Sequence, residues 1–531
     1  MLTYDDKLPV PLFATNSKQV AEQYIRRYER AKNHRENFVP LFEECYEYAL
    51  PQRESFYTES AGERRDDKIF DETAVVGVQE FASRLQAGLV PNFARWADFT
   101  AGSEIPTEQR DAINNELEEV TDYVFEVIQN SNFGQEVHES FMDLAIGTGV
   151  LHVEEGDSIN PINFTALPLP HVVLDVGPDD RIDHVYRERD IRYSDIMVLY
   201  PKATINNRLQ SVMTANPDGR TKVLEIICKD YSQMNEDAYF CVIFDINTKC
   251  MLKYETFKGT GSNPFICFRW SKDPGAIYGR GPLINALSAI KTTNLTVELI
   301  LQNAQMNISG IYTYEDDGVV NPDNINLVPG ALIPVAPNSR GLTPLAGAGK
   351  FDVAQLILSD MRQNIKKALY MESLGRPEGT PMSATEVSER MADLSRQIGS
   401  SFGRLQSEFV TPLLRRVIRI LSKQGRIEIP KIDNREVTVI SQSPLAQAQH
   451  QQDVAVVNNF NAILAQTFGP QILNMIVKQD EVARYMAEKL GLPEKLIRDP
   501  QEQQALVNEL QNMAQQGNMP GNVMGNPTQQ E

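Results

Sequence analysis

Two short motifs resemble catalytic or nucleotide-binding motifs, and both fail on their sequence context. "GSSFG" at Gly399–Gly403 matches G-x-S-x-G, which presents a catalytic serine on a strained turn between a strand and a helix. Here it lies inside a helical stripe of apolar residues, so a hydrolase acting through Ser401 is disfavoured. In "LAGAGKFD", Pro344 and Phe351 stand where a phosphate-binding loop needs a glycine and a hydroxyl residue.

The cysteines and histidines show neither metal-binding nor disulfide spacing. The chain has 5 Cys and 6 His, without C-x-x-C, H-x-x-x-H or H-E-x-x-H. Acidic pairs such as Asp316-Asp317 lack a supporting histidine or a spaced third carboxylate, and solvated loop charges explain them better. We therefore predict no catalytic residue, no metal, no cofactor and no enzymatic activity, with the cysteines reduced inside the core.

The charge balance limits the contacts this protein makes with nucleic acid. Asp and Glu number 71 against 51 Lys and Arg, a net charge of −20. Tight nucleic-acid binding needs clustered basic residues, whereas sparse cationic points on an acidic surface suit a protein past which nucleic acid slides. We expect no membrane association, because there is neither a run of eighteen apolar residues nor a signal-peptide pattern at the start.

The first half of the chain divides into a helical part and a β-rich part. Capping and proline signals predict helices over 17–50, 71–89 and 106–129. Between about 160 and 272, short runs such as "KVLEIICKDY", "AYFCVIFDI" and "PFICFRW" alternate with Gly, Asn, Asp and Pro, which predicts an antiparallel sheet. A short helix is predicted at "SDIMVLY".

A long helix is predicted to follow "YGRGP", which suits a helix entry. Its seam residues recur at alternating spacings of four and three, a heptad pattern with one polar member. They are Leu283, Leu287, Ile290, Asn294, Val297 and Leu301. Such a seam suggests packing against a parallel neighbouring helix, although burial within one subunit explains the periodicity equally well.

A second long helix is predicted after a compact insert of short strands and tight turns. It carries Arg362 and Lys366, which are four residues apart and therefore neighbours on the helix surface, and Lys367 follows. An ordinary solvated face is the alternative explanation for these cations.

A stretch rich in glycine and proline, "ESLGRPEGTPMSATE", joins this helix to a third. Its conformationally special residues are Gly375, Pro377, Gly379 and Pro381. Arg376 is the one cation near its tip, and a capping box from Ser383 to Glu386 starts the next helix. We therefore predict a mobile loop with a defined exit.

The third helix is predicted to be long and nearly straight, because its apolar stripe repeats every eleven residues to about Leu421. Pro412 should bend it near the carbonyl of Glu408. Gly399 and Gly403 would mark close helix packing or a weak point. Further Gln- and Ala-rich helices and a disordered tail are predicted to the C-terminus.

The chain resembles the portal proteins, or head-to-tail connectors, of short-tailed (podovirus) bacteriophages over nearly its whole length. The segments that carry the resemblance are "LVPNFARWADFTAG", "GAIYGRGPLINALSAIKTTN", "MSATEVSERMADLSRQIGSSFGRLQSEFVTPLLRRVI" and "EVARYMAEKLGLPEKLIRDPQE". The resemblance implies a mainly helical α+β fold in a ring, usually of twelve subunits, at one capsid vertex. It also implies a channel for packaging and ejecting double-stranded DNA without sequence specificity.

The family plan assigns each part of the chain to a named region. These are a wing (1–281), two stem helices (282–308 and 351–370), a clip (309–350), a tunnel loop (371–382), a long wing helix with following strands (383–439), and a crown with a disordered tail (440–531). Helix phase then makes Arg362, Lys366, Lys367 and Arg376 candidate DNA-facing residues.

The implied partners are other virion components. They are the terminase large subunit, a tail adaptor, the major capsid and scaffolding proteins, and internal core proteins, with the protein in the virion after assembly in the host cytoplasm. The alternative function is a structural ring or internal virion scaffold protein that never contacts DNA.

Overall fold

The computed structural model describes residues 17–57, 65–102, 105–178, 180–231, 237–309, 312–313, 343–344, 351–371, 398–428, 437–468 and 477–490. Its helices are α1 (Ser17–Glu36), α2 (Val39–Ala49), α3 (Thr73–Leu89), α4 (Thr107–Asn130), α5 (Phe133–Ile146), α6 (Tyr193–Leu199), α7 (Asn207–Ala215), α8 (Pro282–Ser309), α9 (Phe351–Ala368), α10 (Gly399–Leu405), α11 (Thr411–Lys423), α12 (Pro444–Phe468) and α13 (Gln479–Leu490). Its strands are β1 (Ala97–Ala101), β2 (Thr148–Glu155), β3 (Ile162–Ala166), β4 (Val172–Val176), β5 (Ile182–Arg192), β6 (Arg220–Lys229), β7 (Ala238–Asp245), β8 (Cys250–Lys258), β9 (Phe265–Arg269), β10 (Tyr312–Thr313), β11 (Thr343–Pro344) and β12 (Val437–Ser441). The fold is thus mainly helical with sheets, as predicted.

The N-terminal helices agree with the predictions except at one break. The single helix expected over 17–50 is wrong, because the chain turns at Asn37 and Phe38 and restarts as α2. Pro40 lies in the first turn of α2, where its missing N–H costs nothing, and it would have interrupted a continuous helix.

The predicted antiparallel sheet is two sheets, with orders β3-β2-β9 and β4-β5-β6-β7-β8, so the single-sheet prediction is wrong. β2 pairs with β9 from Thr148↔Arg269 to His152↔Phe265. Buried residues of α1 cover one face of the five-stranded sheet. The main core instead joins α2, α3 and α5 to both sheets and to the long helices.

Glycines let the segment before α8 cross the turn between α5 and β2. Gly147 has φ +153, and a Cβ there would lie 2.2 Å from the Gly279 carbonyl oxygen. The Gly281 N–H donates to the Ile146 carbonyl at 2.7 Å. The "YGRGP" motif is therefore a structural joint that fixes where α8 begins.

The third long helix contains an irregular turn at the position where the sequence predicts a bend. A π-helical turn covers Gln406–Val410 between α10 and α11, immediately before Pro412. Along the described part of the stripe, Phe402, Phe409 and Leu413 are buried, as predicted. Of the two roles predicted for Gly399 and Gly403, close packing is wrong for the described structure, since a Cβ at either position meets no described atom of another element within 4 Å. The weak point stays a prediction.

Candidate functional site

The four predicted DNA-facing cations are placed differently from one another. Lys366 and Lys367 are exposed in the last turn of α9 and make no ion pair with any described residue. Arg362, one turn earlier, is paired with Asp71. Arg376 lies outside the described residues, as do the predicted loop residues Gly375, Pro377, Gly379 and Pro381.

Arg362 fastens α9 to the segment that precedes α3. Its Nε donates to Asp71 Oδ2 at 2.8 Å, and its Nη2 lies 2.7 Å from the same oxygen. The Asp71 side chain is 5% exposed, whereas that of Arg362 is 45% exposed. Burial tends to raise the pKa of Asp71, but the hydrogen bonds from Thr73 and Arg362 outweigh it and hold that pKa below its usual range.

Asn294, the polar member of the α8 seam, is bonded within its own chain. Its Oδ1 accepts from the backbone N–H groups of Phe70 at 2.7 Å and Asp71 at 3.1 Å. Its Nδ2 donates to the Lys68 carbonyl at 2.8 Å. One side chain thus satisfies three backbone groups of residues 68–71, a segment that belongs to no strand or α-helix.

The seam residues of α8 divide into a buried half and an exposed half. Leu283, Leu287 and Ile290 are buried in the main core. Val297 is half-buried and Leu301 is exposed. Together with Leu301, the exposed apolar side chains of α8 and α9 are Leu295, Leu299, Leu356 and Ile357. Burial within one subunit therefore explains the first half of the seam, whereas in the second half only Leu301 is exposed and lies among other exposed apolar side chains of the two helices.

The end of α9 is held by an unusual backbone conformation. Tyr370 has φ +58, which is uncommon for a residue with a large side chain. The Met371 N–H bonds to the Lys366 carbonyl at 2.8 Å, and the Tyr370 N–H bonds to that of Lys367 at 3.1 Å. This is a Schellman motif with tyrosine where glycine is usual, so surrounding contacts must stabilise it.

Those contacts come from α3 and from Trp270, just beyond β9. Arg84 Nη1 donates to the carbonyl oxygens of Tyr370, at 3.0 Å, and of Met371. The rings of Phe81 and Trp270 lie 6.5 Å and 5.7 Å from the Tyr370 ring. We call Arg84, Phe81, Trp270 and Tyr370 the α9 anchor. It fixes the point at which the chain enters the predicted loop.

Sequence reasoning missed the residues that position this region. Asp71 lies just before α3 and accepts the Thr73 N–H at 3.0 Å, a side-chain turn that an aspartate two residues before a helix start could have indicated. No sequence pattern identifies Arg84, because an arginine on an amphipathic helix is ordinarily a solvated residue. Its partners lie 286 and 287 residues further along the chain.

The described residues contain no alternative chemical site. Ser401 is buried inside α10 rather than on a turn after a strand, so the nucleophile interpretation has no structural support. No group of three His, Cys, Asp or Glu among them could hold a metal. All five cysteines are free, and burial raises the pKa of the Cys45 and Cys228 thiols to about 12. None of the described helices has the length and hydropathy of a membrane span.

Comparison with known proteins identifies the class of this chain. A sequence model of the bacteriophage head to tail connecting protein family matches residues 21–497. The chain therefore belongs to the phage head-to-tail connector family, which includes the portal proteins, and the predicted resemblance is confirmed.

Individual relatives agree with this assignment. The probable portal protein of Bordetella phage BPP-1 is 24% identical over 518 residues, covering 91% of this chain and 90% of the relative. The portal proteins of Enterobacteria phage T3 and Escherichia phage T7 are each 21% identical, covering 76% of this chain and 75% of theirs. A chain in the neck of an empty gene transfer agent particle is 13% identical, covering 79% of this chain and 92% of that one; its TM-score of 0.36 carries no argument about the fold.

Proposed function

We propose that copies of this chain, twelve in the family plan, form a ring-shaped channel through which double-stranded DNA enters and leaves the capsid. The observation that carries the proposal is the pair of exposed lysines, Lys366 and Lys367, at the end of α9. They are followed directly by the α9 anchor and the predicted loop, in a chain with a net charge of −20.

The charge pattern favours passage of DNA over retention. A lysine is a compact point charge that contacts any phosphate without reading a base. Repeated around a ring, Lys366 and Lys367 place a few cations on the channel of a protein whose net charge is negative. Each contact releases counterions and is salt-dependent, so a sparse ring binds weakly enough for DNA to move.

Exposed apolar side chains on α8 and α9 are the second observation in favour of a ring. Leu295 and Leu299 lie four residues apart on α8, and Leu356 and Ile357 are exposed on α9. Exposed apolar side chains on two packed helices suit contact with a second subunit. In this proposal α8 and α9 are the stem helices, residues 309–350 the clip and 371–382 the tunnel loop.

The remaining regions and partners follow from the same plan. Residues 1–281 and 383–439 form the wing, and 440–531 form the crown inside the capsid. The clip contacts the terminase large subunit and later a tail adaptor, and the outer surface contacts capsid, scaffolding and internal core proteins. The protein resides at the portal vertex of the virion after assembly in the host cytoplasm.

Charge reversal at the lysine pair tests DNA contact. Lys366→Glu with Lys367→Glu should leave rings intact and reduce the packaged DNA, because two repelling charges per subunit replace two attracting ones. The matched control, Lys202→Glu with Arg208→Glu, makes the same charge change at exposed residues far along the chain from α9. Equal DNA content in both variants, measured in purified particles, would favour the structural ring without DNA contact.

Deletion of the predicted loop tip tests the loop separately. Removing residues 375–380 should leave ring assembly intact, since the α9 anchor precedes the deletion, and should reduce the amount of packaged DNA. Particle yield and DNA length give the two readings. Full-length packaging by the deleted variant would show that the loop is dispensable.

A further inference from the structure

We propose that Arg269 is a positioning residue that ties together the two helices flanking the segment 372–397. It lies at the end of β9 and binds the third long helix, while its neighbour Trp270 binds the end of α9. That the tie governs a DNA-contacting loop rests on the proposed function; the tie between the helices does not.

The first half of the tie is a buried, bidentate ion pair between Arg269 and Glu408. Arg269 Nη2 lies 2.7 Å from Glu408 Oε1, and its Nε donates to Oε2 at 3.2 Å. The Arg269 backbone N–H donates to the same Oε2 at 3.0 Å. The arginine side chain is only 4% exposed, so Glu408 balances a charge that has little access to water.

Glu408 lies in the π-helical turn, the one irregular turn in the described part of the third long helix. Pro412 has no N–H, so the Glu408 carbonyl lacks its usual helical donor. The Thr411 N–H bonds to the carbonyl of Gln406, five residues earlier, which widens the turn. A wide turn of this kind is a natural place for a helix to bend. Arg269 therefore holds the helix at the point where its direction is least determined by its own hydrogen bonds.

The second half of the tie is the contact of Trp270 with the α9 anchor. The Trp270 ring lies 5.7 Å from Tyr370 and 5.1 Å from Phe81, and the residue is 5% exposed. Its backbone N–H donates to the Gly147 carbonyl at 2.9 Å. Trp270 thus packs against Tyr370, whose left-handed backbone conformation needs support from neighbouring residues.

Because Arg269 and Trp270 are consecutive, neither the end of α9 nor the π-helical turn can shift relative to β9 without disturbing an adjacent contact. β9 is in turn fixed to β2 by the Thr148↔Arg269 register. Phe268 packs 4.6 Å from Phe409, which strengthens the same link. The geometry predicts that α9 and the π-helical turn keep a constant separation, set by the sheet.

The separation is measurable with spin labels at two exposed residues, Lys367→Cys and Ser407→Cys. The native cysteines are free, but four are buried and the fifth is partly buried, so labelling favours the introduced pair. Rings assembled from a small fraction of labelled subunits, without DNA, report the distance within one subunit. We expect one narrow distance distribution.

Arg269→Gln should broaden that distribution about twofold, because it leaves Glu408 without its charged partner, and Arg269→Lys should restore part of the narrowing. The matched control is Arg280→Gln, which removes an exposed ion pair with Asp273 in the same segment. It should leave the distribution unchanged. If Arg269→Gln fails to assemble, Tyr370→Ala perturbs the other half of the tie and should also broaden it.

An unchanged width in Arg269→Gln, or in Tyr370→Ala where that variant is used instead, would overturn the proposal. Arg269 would then contribute only to the stability of the subunit, and thermal unfolding of Arg269→Gln would show this as a lower midpoint temperature. The result is independent of the proposed DNA contact, because it is obtained on rings without DNA. Normal packaging by the Lys366 and Lys367 variant would reject the DNA contact and leave the tie standing.

Discussion

Replacing Asn294 by alanine should destabilise the subunit by about 3 kcal/mol, since a hydrogen bond contributes about 1 kcal/mol net. Asn294 is 7% exposed and makes three hydrogen bonds to the backbone of residues 68–71. Alanine leaves all three backbone groups without this partner. Phe70 is 37% exposed, so water can reach the segment, and the cost stays at the lower end of that for unsatisfied buried groups.

Urea unfolding of the dissociated subunit measures this loss through the fluorescence of Trp96 and Trp270, the only tryptophans in the chain. The control is Thr292→Ala, whose exposed hydroxyl bonds only to the Ser288 carbonyl of its own helix at 2.8 Å. Its cost should be below about 0.5 kcal/mol. If Asn294→Ala behaves like the control but changes the number of subunits per ring, Asn294 belongs to a seam between subunits and our reasoning is refuted.

Two further substitutions test the core around α3 and α5. Burial raises the pKa of Asp143 to about 6, above its value of about 4 in the unfolded chain. The free energy of unfolding therefore falls as the pH rises from about 4 through 6, because the folded protein holds this proton more tightly than the unfolded chain does. Asp143→Asn keeps an acceptor for Tyr46, and Arg53, which pairs with Asp143 at 3.1 Å, keeps its second ion pair with Glu139. Urea unfolding near pH 7.5 should show a gain of about 1–3 kcal/mol that shrinks towards pH 4. A loss at pH 7.5 would contradict this and would show that the ion pair with Arg53 outweighs the burial of the carboxylate. Gly77→Val should lower stability by about 1–3 kcal/mol, because a Cβ at this position would lie 2.5 Å from Leu369 Cδ1. If the variant unfolds thermally at the same temperature as the wild type, the contact is not tight.

Local patterns predicted much of the fold because they depend on neighbours in sequence. The start of α8 follows from its glycine-proline entry, and Pro412 predicted the irregular turn that the structure shows at Gln406–Val410. The buried stripe through Phe402 and Phe409 follows from helical periodicity, which states which side chains share a face.

The parts that could not be predicted depend on distant partners. Periodicity placed Asn294 in a seam but could not show that it faces residues 68–71, more than 220 residues earlier. Arg362 was predicted as a DNA-facing cation, and its ion pair with Asp71, 291 residues away, is invisible to any local pattern. Its DNA contact therefore stays a prediction, as does that of Arg376.

Electron cryomicroscopy of the portal vertex in DNA-filled particles tests the central claim most directly. We predict a ring, of twelve subunits in the family plan, with DNA density along its axis and with Lys366 and Lys367 on the wall nearest that density. A ring without DNA in its centre, or one in which both lysines face outward, would contradict the proposed channel.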